Sequence, residues 1–216
     1  MKTIIDTGGD AAAVNANLSV PQSLDTLIAR TSLALGMPIS ALINNASTFA
    51  PDTAQDFTRA SYDYHMDINL RAPMLLIQQL SAQIPDGKVG AVINMIDQRV
   101  LKPNPHFFTY TAAKAALHWA TKTLAQSYAP KLRVNGIGPG PTYPSIHQQD
   151  GEFETEAQST LLGKGSPPDT LLGGVRYLLS AEAVTGQMIA IDGGQHLGWS
   201  GWEPETREAV KSGHPK

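Results

Sequence analysis

The sequence predicts an α/β chain in which a doubly wound parallel sheet carries helices on both faces. Three observations make the prediction. Short apolar runs rich in β-formers alternate without interruption with stretches of helical periodicity. Turn-forming Gly, Pro, Asn and Asp punctuate the changeovers. The 216 residues contain no internal repeat, low-complexity tract or linker, so residues 1–216 read as one domain with room for a core.

Taken in order, residues 10–18 read as a first strand. Ser19 then serves as N-cap and Pro21 sits just inside a helix that runs to about Leu35, where Gly36 ends it. Residues 39–44 form an apolar strand stopped by Asn44 and Asn45. A long helix covers 62–84 and is closed by Pro85, Asp86 and Gly87. Residues 91–95 are a strand. Residues 109–128 are a helix with Ala113, Ala116, Leu117, Ala120 and Leu124 along one face. Residues 132–136 are a strand leading into a Gly- and Pro-rich loop over 136–144. A helix over 168–180 and a strand over 188–192 complete the pattern, and 199–216 reads as an irregular tail. In doubly wound sheets ligands sit beyond the carboxyl ends of the strands, so 44–49, Asp97, 138–142 and 193–195 are the segments to watch.

Composition removes several function classes. Hydrophobic residues make up 42% and charged residues 16%, against a usual charged share of about 25%. Less obligatory water-facing surface favours an oligomer. The net charge of −3 comes with no run of five basic residues, so nucleic acid and anionic membranes find no electrostatic footprint. With no cysteine, the chain has no disulfide, thiolate nucleophile or cysteine-ligated zinc. His65, His106, His118 and His147 lack metal-ligand spacing, and no metal is expected. No apolar run reaches the ~20 residues that span a bilayer. The first ten residues match neither a signal peptide nor a presequence, which makes the cytoplasm the expected location.

The sharpest chemical signal is Tyr110-Thr-Ala-Ala-Lys114. Spacing i, i+4 on a helix places phenol and ammonium on one face. Tyrosine, with a solution pKa of about 10, is a poor acid–base near neutrality unless its anion is stabilised, and a nearby ammonium does that. A surface Tyr and Lys sharing a helix face is the plainer reading of the pentapeptide alone. Around it stand Asn44-Asn-Ala-Ser47 after one strand, Asn69 in Asp67-Ile-Asn-Leu-Arg-Ala-Pro73, and Asp97 after another strand. Pro139-Gly140 follows a third, and Thr185-Gly-Gln and Asp192-Gly-Gly194 lie near the end.

In that order and spacing, from Thr7 to Leu197, these motifs resemble the short-chain dehydrogenase/reductase family. The resemblance implies a Rossmann-like fold and an NADP(H)-dependent oxidoreductase, with NAD still compatible. It makes Tyr110 the general acid–base. Lys114 would lower the phenol's pKa and hold the nicotinamide ribose, and Asn69 would hold a water in a proton relay with Lys114. It places Asn45, Ala46, Ser47, Tyr110, Lys114, Pro139, Gly140 and Thr142 around the cofactor. Gly136-Ile-Gly-Pro-Gly140 looks superficially like a dinucleotide fingerprint, but it follows a late strand and Pro139 lacks an amide a cradle would use. Family members pair through the helix equivalent to 109–128, which implies a homodimer or homotetramer.

Two departures narrow the resemblance. Most members carry a serine thirteen residues before the tyrosine, and Asp97 stands there. That aspartate, with Asn44-Asn-Ala-Ser-Thr-Phe49, resembles the pteridine reductases, which implies that Phe49 stacks on a pterin ring while Asp97 and Tyr110 face its edge. A flat heteroaromatic ring gains from an aromatic face. Reduction of a ring C=N needs hydride on carbon and a proton on nitrogen, which a buried carboxyl helps supply. The plainer readings are that Phe49 anchors its loop and Asp97 caps the turn after it. A ketone or 3-oxoacyl-thioester reductase of the same family is the alternative substrate reading.

The family's Gly-x-x-x-Gly-x-Gly turn does not occur in the chain. Thr7-Gly8-Gly9-Asp10 matches instead the end of the family's second helix, so the first two strands are expected to be absent. In the family's strand order they would lie between residues 11–18 and 39–44, leaving the latter an uncovered apolar edge. Such a chain is expected to bind NADP(H) weakly, and a catalytically silent structural subunit is the reading from outside the enzyme class.

Overall fold

The computed structural model describes residues 2–199. Helix α1 (Lys2–Asp6) is a single exposed turn closed by Gly8 at φ 85°, a helix end as the sequence predicted. Residues 10–18 are not a strand. A strand needs a ladder partner, and no described strand lies beside these largely solvent-facing residues. The predicted helix over 19–35 is two pieces, α2 (Pro21–Leu24) and α3 (Leu27–Leu35), with Pro21 at the start and Gly36 in the left-handed conformation at the end. Ser19 is not its N-cap. Val20 holds that position, and the Ser19 hydroxyl donates to Asn17 Oδ1 at 2.8 Å.

The sheet has four parallel strands in the order β1-β2-β3-β4: β1 (Ala41–Asn44), β2 (Gly90–Met95), β3 (Leu132–Pro139) and β4 (Met188–Ile191). Register pairs Ala41 with Ala91, Gly90 with Leu132 and Gly136 with Met188. β3 runs three residues beyond its predicted end because Gly136–Pro139 still pair with β4. β1 is an edge, as expected, and Ile43 on it is 43% exposed.

Between β1 and β2 the predicted long helix forms as α4 (Arg59–Met66), a π-helical turn (Asp67–Arg71) and α5 (Ala72–Gln83). The wide turn has a cause: Pro73 has no N–H to return to the Asn69 carbonyl, and the Ala72 N–H bonds Asp67 O instead. α6 (Phe108–Tyr128) joins β2 to β3. Between β3 and β4 lie α7 (Glu152–Ser159), to which the sequence analysis assigns no element, and α8 (Pro168–Ser180), predicted to the residue.

The two faces are covered separately, as a doubly wound sheet requires. On one, Ile77, Leu80 and Ile84 of α5 and its end meet Val92, Leu132, Val134 and Ala125. On the other, Ile93 and Ile137 meet Leu178 of α8. Each fully buried aliphatic side chain contributes roughly 1.5–3 kcal/mol. The alanine face of α6 packs inside the chain: Ala113 and Ala120 are buried, while Trp119 on the outer face is 68% exposed. Through this core runs one polar line. Asn44 Nδ2 donates to Asn94 Oδ1 (2.8 Å), Asn94 Nδ2 to Thr121 Oγ1 (2.9 Å), and Thr121 to the Leu117 carbonyl (2.8 Å).

Candidate active site

The carboxyl ends of β1, β2 and β3 open into a cleft of about 830 Å³, and the first turns of α6 form one wall of it. Tyr110, 6% exposed, sits on that wall and donates its hydroxyl to Asp97 Oδ2 at 2.8 Å. Asp97 follows β2. Its Oδ1 accepts the Arg99 N–H at 2.8 Å, so it caps the next turn, the plainer reading of this residue, while its Oδ2 faces the tyrosine. Lys114, 3% exposed, lies one turn beyond Tyr110, with its Nζ 5.7 Å from the phenol ring centre.

Burial pushes the Tyr110 phenol well above its ordinary range, the Asp97 carboxylate pushes it further, and Arg99 is the cation that opposes them. The Lys114 ammonium donates to the Met95 carbonyl at 2.7 Å. Burial lowers the pKa of Lys114 itself from 10.5 to about 8, against the pull of Asp97. Near neutrality the site therefore holds a protonated phenol hydrogen-bonded to a carboxyl group, above a buried ammonium.

Asn69 sits in the π-helical turn. Its Oδ1 accepts from the Ser47 hydroxyl (3.0 Å) and the Thr48 N–H (2.9 Å), and its Nδ2 donates to Thr48 O (2.9 Å). With the amide engaged by this loop, the side chain positions Ser47 and Thr48. Phe49 follows. Its ring stacks on Phe107 with centroids 3.9 Å apart and meets the Tyr110 ring edge-on at 4.7 Å. Its carbonyl accepts from His147 Nε2 at 3.0 Å.

Ser47, Phe49, Asp97, Tyr110, Pro139, Gly140 and Thr142 line the cleft together. Asn45 and Lys114 line an adjoining cavity with Ser47, Tyr110, Pro139 and Thr142. Ala46 and Asn69 line neither, although Ala46 is exposed between Asn45 and Ser47. Gly140 is required by contact, because a Cβ there would lie 2.8 Å from Asp192 Cα. The Thr142 hydroxyl turns inward to Gly140 O at 3.0 Å.

The sequence reading missed Arg99, Phe107 and α7. Arg99 lies within 5.4 Å of the Phe49 ring centre and 5.5 Å of that of Phe107, beside the Asp97 carboxylate. Its place two residues after Asp97 was the available signal. Phe107 holds a left-handed backbone (φ 56°, ψ 49°) before α6, which nothing in its residue type announces. α7 is tied across the cleft by Glu156, which accepts from Gln148 (2.8 Å) and Gln195 (2.9 Å). Among the described residues no helix is long and apolar enough to cross a membrane. Trp202 and the rest of the predicted tail beyond Trp199 lie outside the described residues.

Comparison with known proteins agrees with this fold. A family model described as enoyl-(acyl carrier protein) reductase matches residues 1–196. A solved structure of FolM alternative dihydrofolate reductase 1 from Brucella canis, complexed with NADP, superimposes with a TM-score of 0.88 at 41% identity, covering 92% of this chain and 78% of that one. The 3-oxoacyl-[acyl-carrier-protein] reductase of Synechocystis sp. is 30% identical over 195 residues, 88% of this chain and 78% of that protein. The 3beta-hydroxysteroid dehydrogenase 1 of Eggerthella lenta is 29% identical over 205 residues, 91% of this chain and 78% of that protein.

Proposed function

The chain belongs to the short-chain dehydrogenase/reductase family, near its pteridine reductase-like members, and from that premise we propose that it is an NADPH-dependent reductase of a pteridine ring of the dihydropterin or dihydrofolate kind. The observation that carries the reading is the Tyr110–Asp97 hydrogen bond of 2.8 Å beside the Phe49 ring. The similarity to an NADP-bound alternative dihydrofolate reductase supports it.

The residues fit the nicotinamide end of the cofactor. Lys114 uses one N–H on Met95 O and has others to offer ribose hydroxyls. Asn45, Ser47, Pro139 and Thr142 line the same cavity as Lys114, and Ala46 and Gly140 stand beside them along the chain. NADPH, when bound, supplies the hydride for a ring carbon. The chain's own residues handle the ring and the proton. Phe49 offers its edge of the cleft to a flat ring. Tyr110 holds its proton at neutral pH and gives it to the ring nitrogen. The phenolate left behind would face Asp97, so Arg99 and Lys114 must offset that charge until a proton returns from solvent. Asp97 orients the hydroxyl and helps pass the proton on. The working form is a homodimer or homotetramer.

Substituting Asp97→Ser tests the substrate. Dihydropterin turnover is expected to fall about 10²-fold, while NADPH affinity by calorimetric titration stays within a factor of about two. Equal loss of both, or loss of neither, moves the assignment to a ketone or 3-oxoacyl-thioester reductase. The relationship to the Synechocystis reductase favours that second reading.

A further inference from the structure

Outside the proton-handling pair, the described chain buries a histidine whose two ring nitrogens face the loop that carries Phe49 and the helix that carries Tyr110. His65, on α4, is 1% exposed. Its Nε2 faces the Ala50 N–H at 3.2 Å, and its Nδ1 faces Thr109 Oγ1 at 2.7 Å. Thr109 Oγ1 in turn bonds Asp52 Oδ2, and the Thr109 N–H donates to Asp52 Oδ1 at 3.0 Å.

The two ends of this line fix its direction. A backbone N–H can only donate, so Nε2 must accept from Ala50 and carries no proton. Nδ1 is then the protonated nitrogen and donates to Thr109, whose hydroxyl is left to donate to the Asp52 carboxylate. Each donor meets an acceptor, and no alternative assignment satisfies all four groups. Burial pushes the imidazole's pKa below its ordinary value, with Asp52 opposing, which agrees with a neutral ring.

The line spans functional ground. Ala50 follows Phe49 directly, Asp52 lies two residues on, and Thr109 precedes Tyr110. The Phe108 N–H also bonds Asp52 O at 3.2 Å, so the loop is held at both ends against the first turn of α6. The His65 ring stands edge-on to the Tyr110 ring at 6.1 Å.

We propose that His65 is a positioning residue that clamps the loop over residues 49–52 to the start of α6 and so sets the separation of Phe49 from Tyr110 and Asp97, the gap into which a substrate ring must fit. This rests on the pteridine-type reading for the identity of the ring, but not for the clamp itself. Losing the acceptor at Ala50 frees the loop while leaving Tyr110, Lys114 and the cofactor end in place.

Two substitutions separate the bonds. His65→Gln can keep an acceptor near the Nε2 position, whereas His65→Asn keeps a donor near Nδ1 and offers Ala50 nothing. Hydrogen exchange of the Ala50 amide is expected to speed up about tenfold in His65→Asn, the worth of one net hydrogen bond. The dihydropterin KM should rise by a similar factor, with kcat and the NADPH KM nearly unchanged, and His65→Gln should restore both readouts. Unchanged exchange in His65→Asn, or equal falls in kcat and thermal midpoint for both variants, overturns the proposal in favour of a merely structural histidine. Imidazole ¹⁵N shifts of the wild-type chain give a decision that needs no variant: a Nδ1-protonated neutral ring is expected, and an Nε2-protonated or charged ring refutes the clamp. Failure of the wild type to reduce any dihydropterin, with the exchange and ¹⁵N results as expected, would count against the substrate and not against His65.

Discussion

At the scale of single residues, the centre is an acid kept loaded by its surroundings. Burial and Asp97 hold the proton on Tyr110, so Tyr110→Phe keeps the ring and removes the proton. Its turnover with NADPH and a dihydropterin is expected to drop by about 10²–10⁴-fold; retention of more than half the activity would exclude Tyr110 as the acid. Lys114 gives a second test with opposite signs for stability and function. It titrates at about 8 in the folded chain against 10.5 when solvated. Below pH 8 both states are protonated and the full cost of burying the charge is present. Between about 8 and 10.5 the unfolded chain holds the proton that the folded chain has released, so stability rises with pH in that window. The gain relative to Lys114→Met is expected to approach roughly 3 kcal/mol, read from denaturant midpoints at pH 7.5 and 10.5. Turnover should fall across the same interval as the ammonium that faces the ribose is lost. What the sequence conveyed at this scale was identity and not direction: Tyr110, Asp97 and Lys114 do converge, but the Lys114 bond to Met95 and the Asn69 bonds to Ser47 and Thr48 depend on side-chain rotamers that spacing does not specify.

At the scale of elements, α8, α6 and the central strands were legible because their signals were strong and local: Pro168 at a helix start, a long run of helix formers, β-branched runs ended by turns. Residues 10–18 misled because strand propensity is only half of a strand, the other half being a neighbour to bond. α7 was missed because Glu152–Ser159 is short, mostly polar and without a buried residue, so it carries no apolar stripe. The π-helical turn could have been inferred from Pro73 inside a helical pattern. The close approach at the end of β3 yields a test. A methyl group at Gly140 would lie 2.8 and 2.9 Å from Asp192 Cα and Cβ, where the Gly140 N–H also bonds Ile191 O at 3.1 Å. Gly140→Ala is therefore expected to destabilise the chain by about 1–3 kcal/mol in denaturant melts. A melt identical to wild type would mean that the β3 and β4 ends separate more readily than their contact implies.

At the scale of the whole molecule, several aromatic side chains on and beside α6 remain exposed. Phe57 is 43% exposed, Tyr62 42%, Phe108 40% and Trp119 68%, and Phe57 packs on both Tyr62 and Phe108. A connected aromatic surface of this kind is expected to be covered by a second copy of the chain. Light scattering at micromolar concentration should report a dimer or tetramer, and a compact monomer would contradict it. The doubly wound class was readable from the alternation of elements alone, whereas the outward-facing side of α6 was not, because periodicity shows that a helix has two faces without saying which one the chain covers. The line from Asn44 through Asn94 to Thr121 bears on how such a sheet finds its arrangement. Its three side chains come from β1, β2 and α6, and they are far apart in sequence. Slipping β1 by one residue against β2 would turn Asn44 to the opposite face and leave the Asn94 carbonyl oxygen dry and unbonded, a loss of about 1–3 kcal/mol. The apolar neighbours, Val, Ile and Leu, would pack nearly as well in the slipped arrangement, since oil tolerates substitution by oil. The asparagines thus act as a proofreader of assembly: they add little to the depth of the correct basin, but they raise the floor of every wrong one.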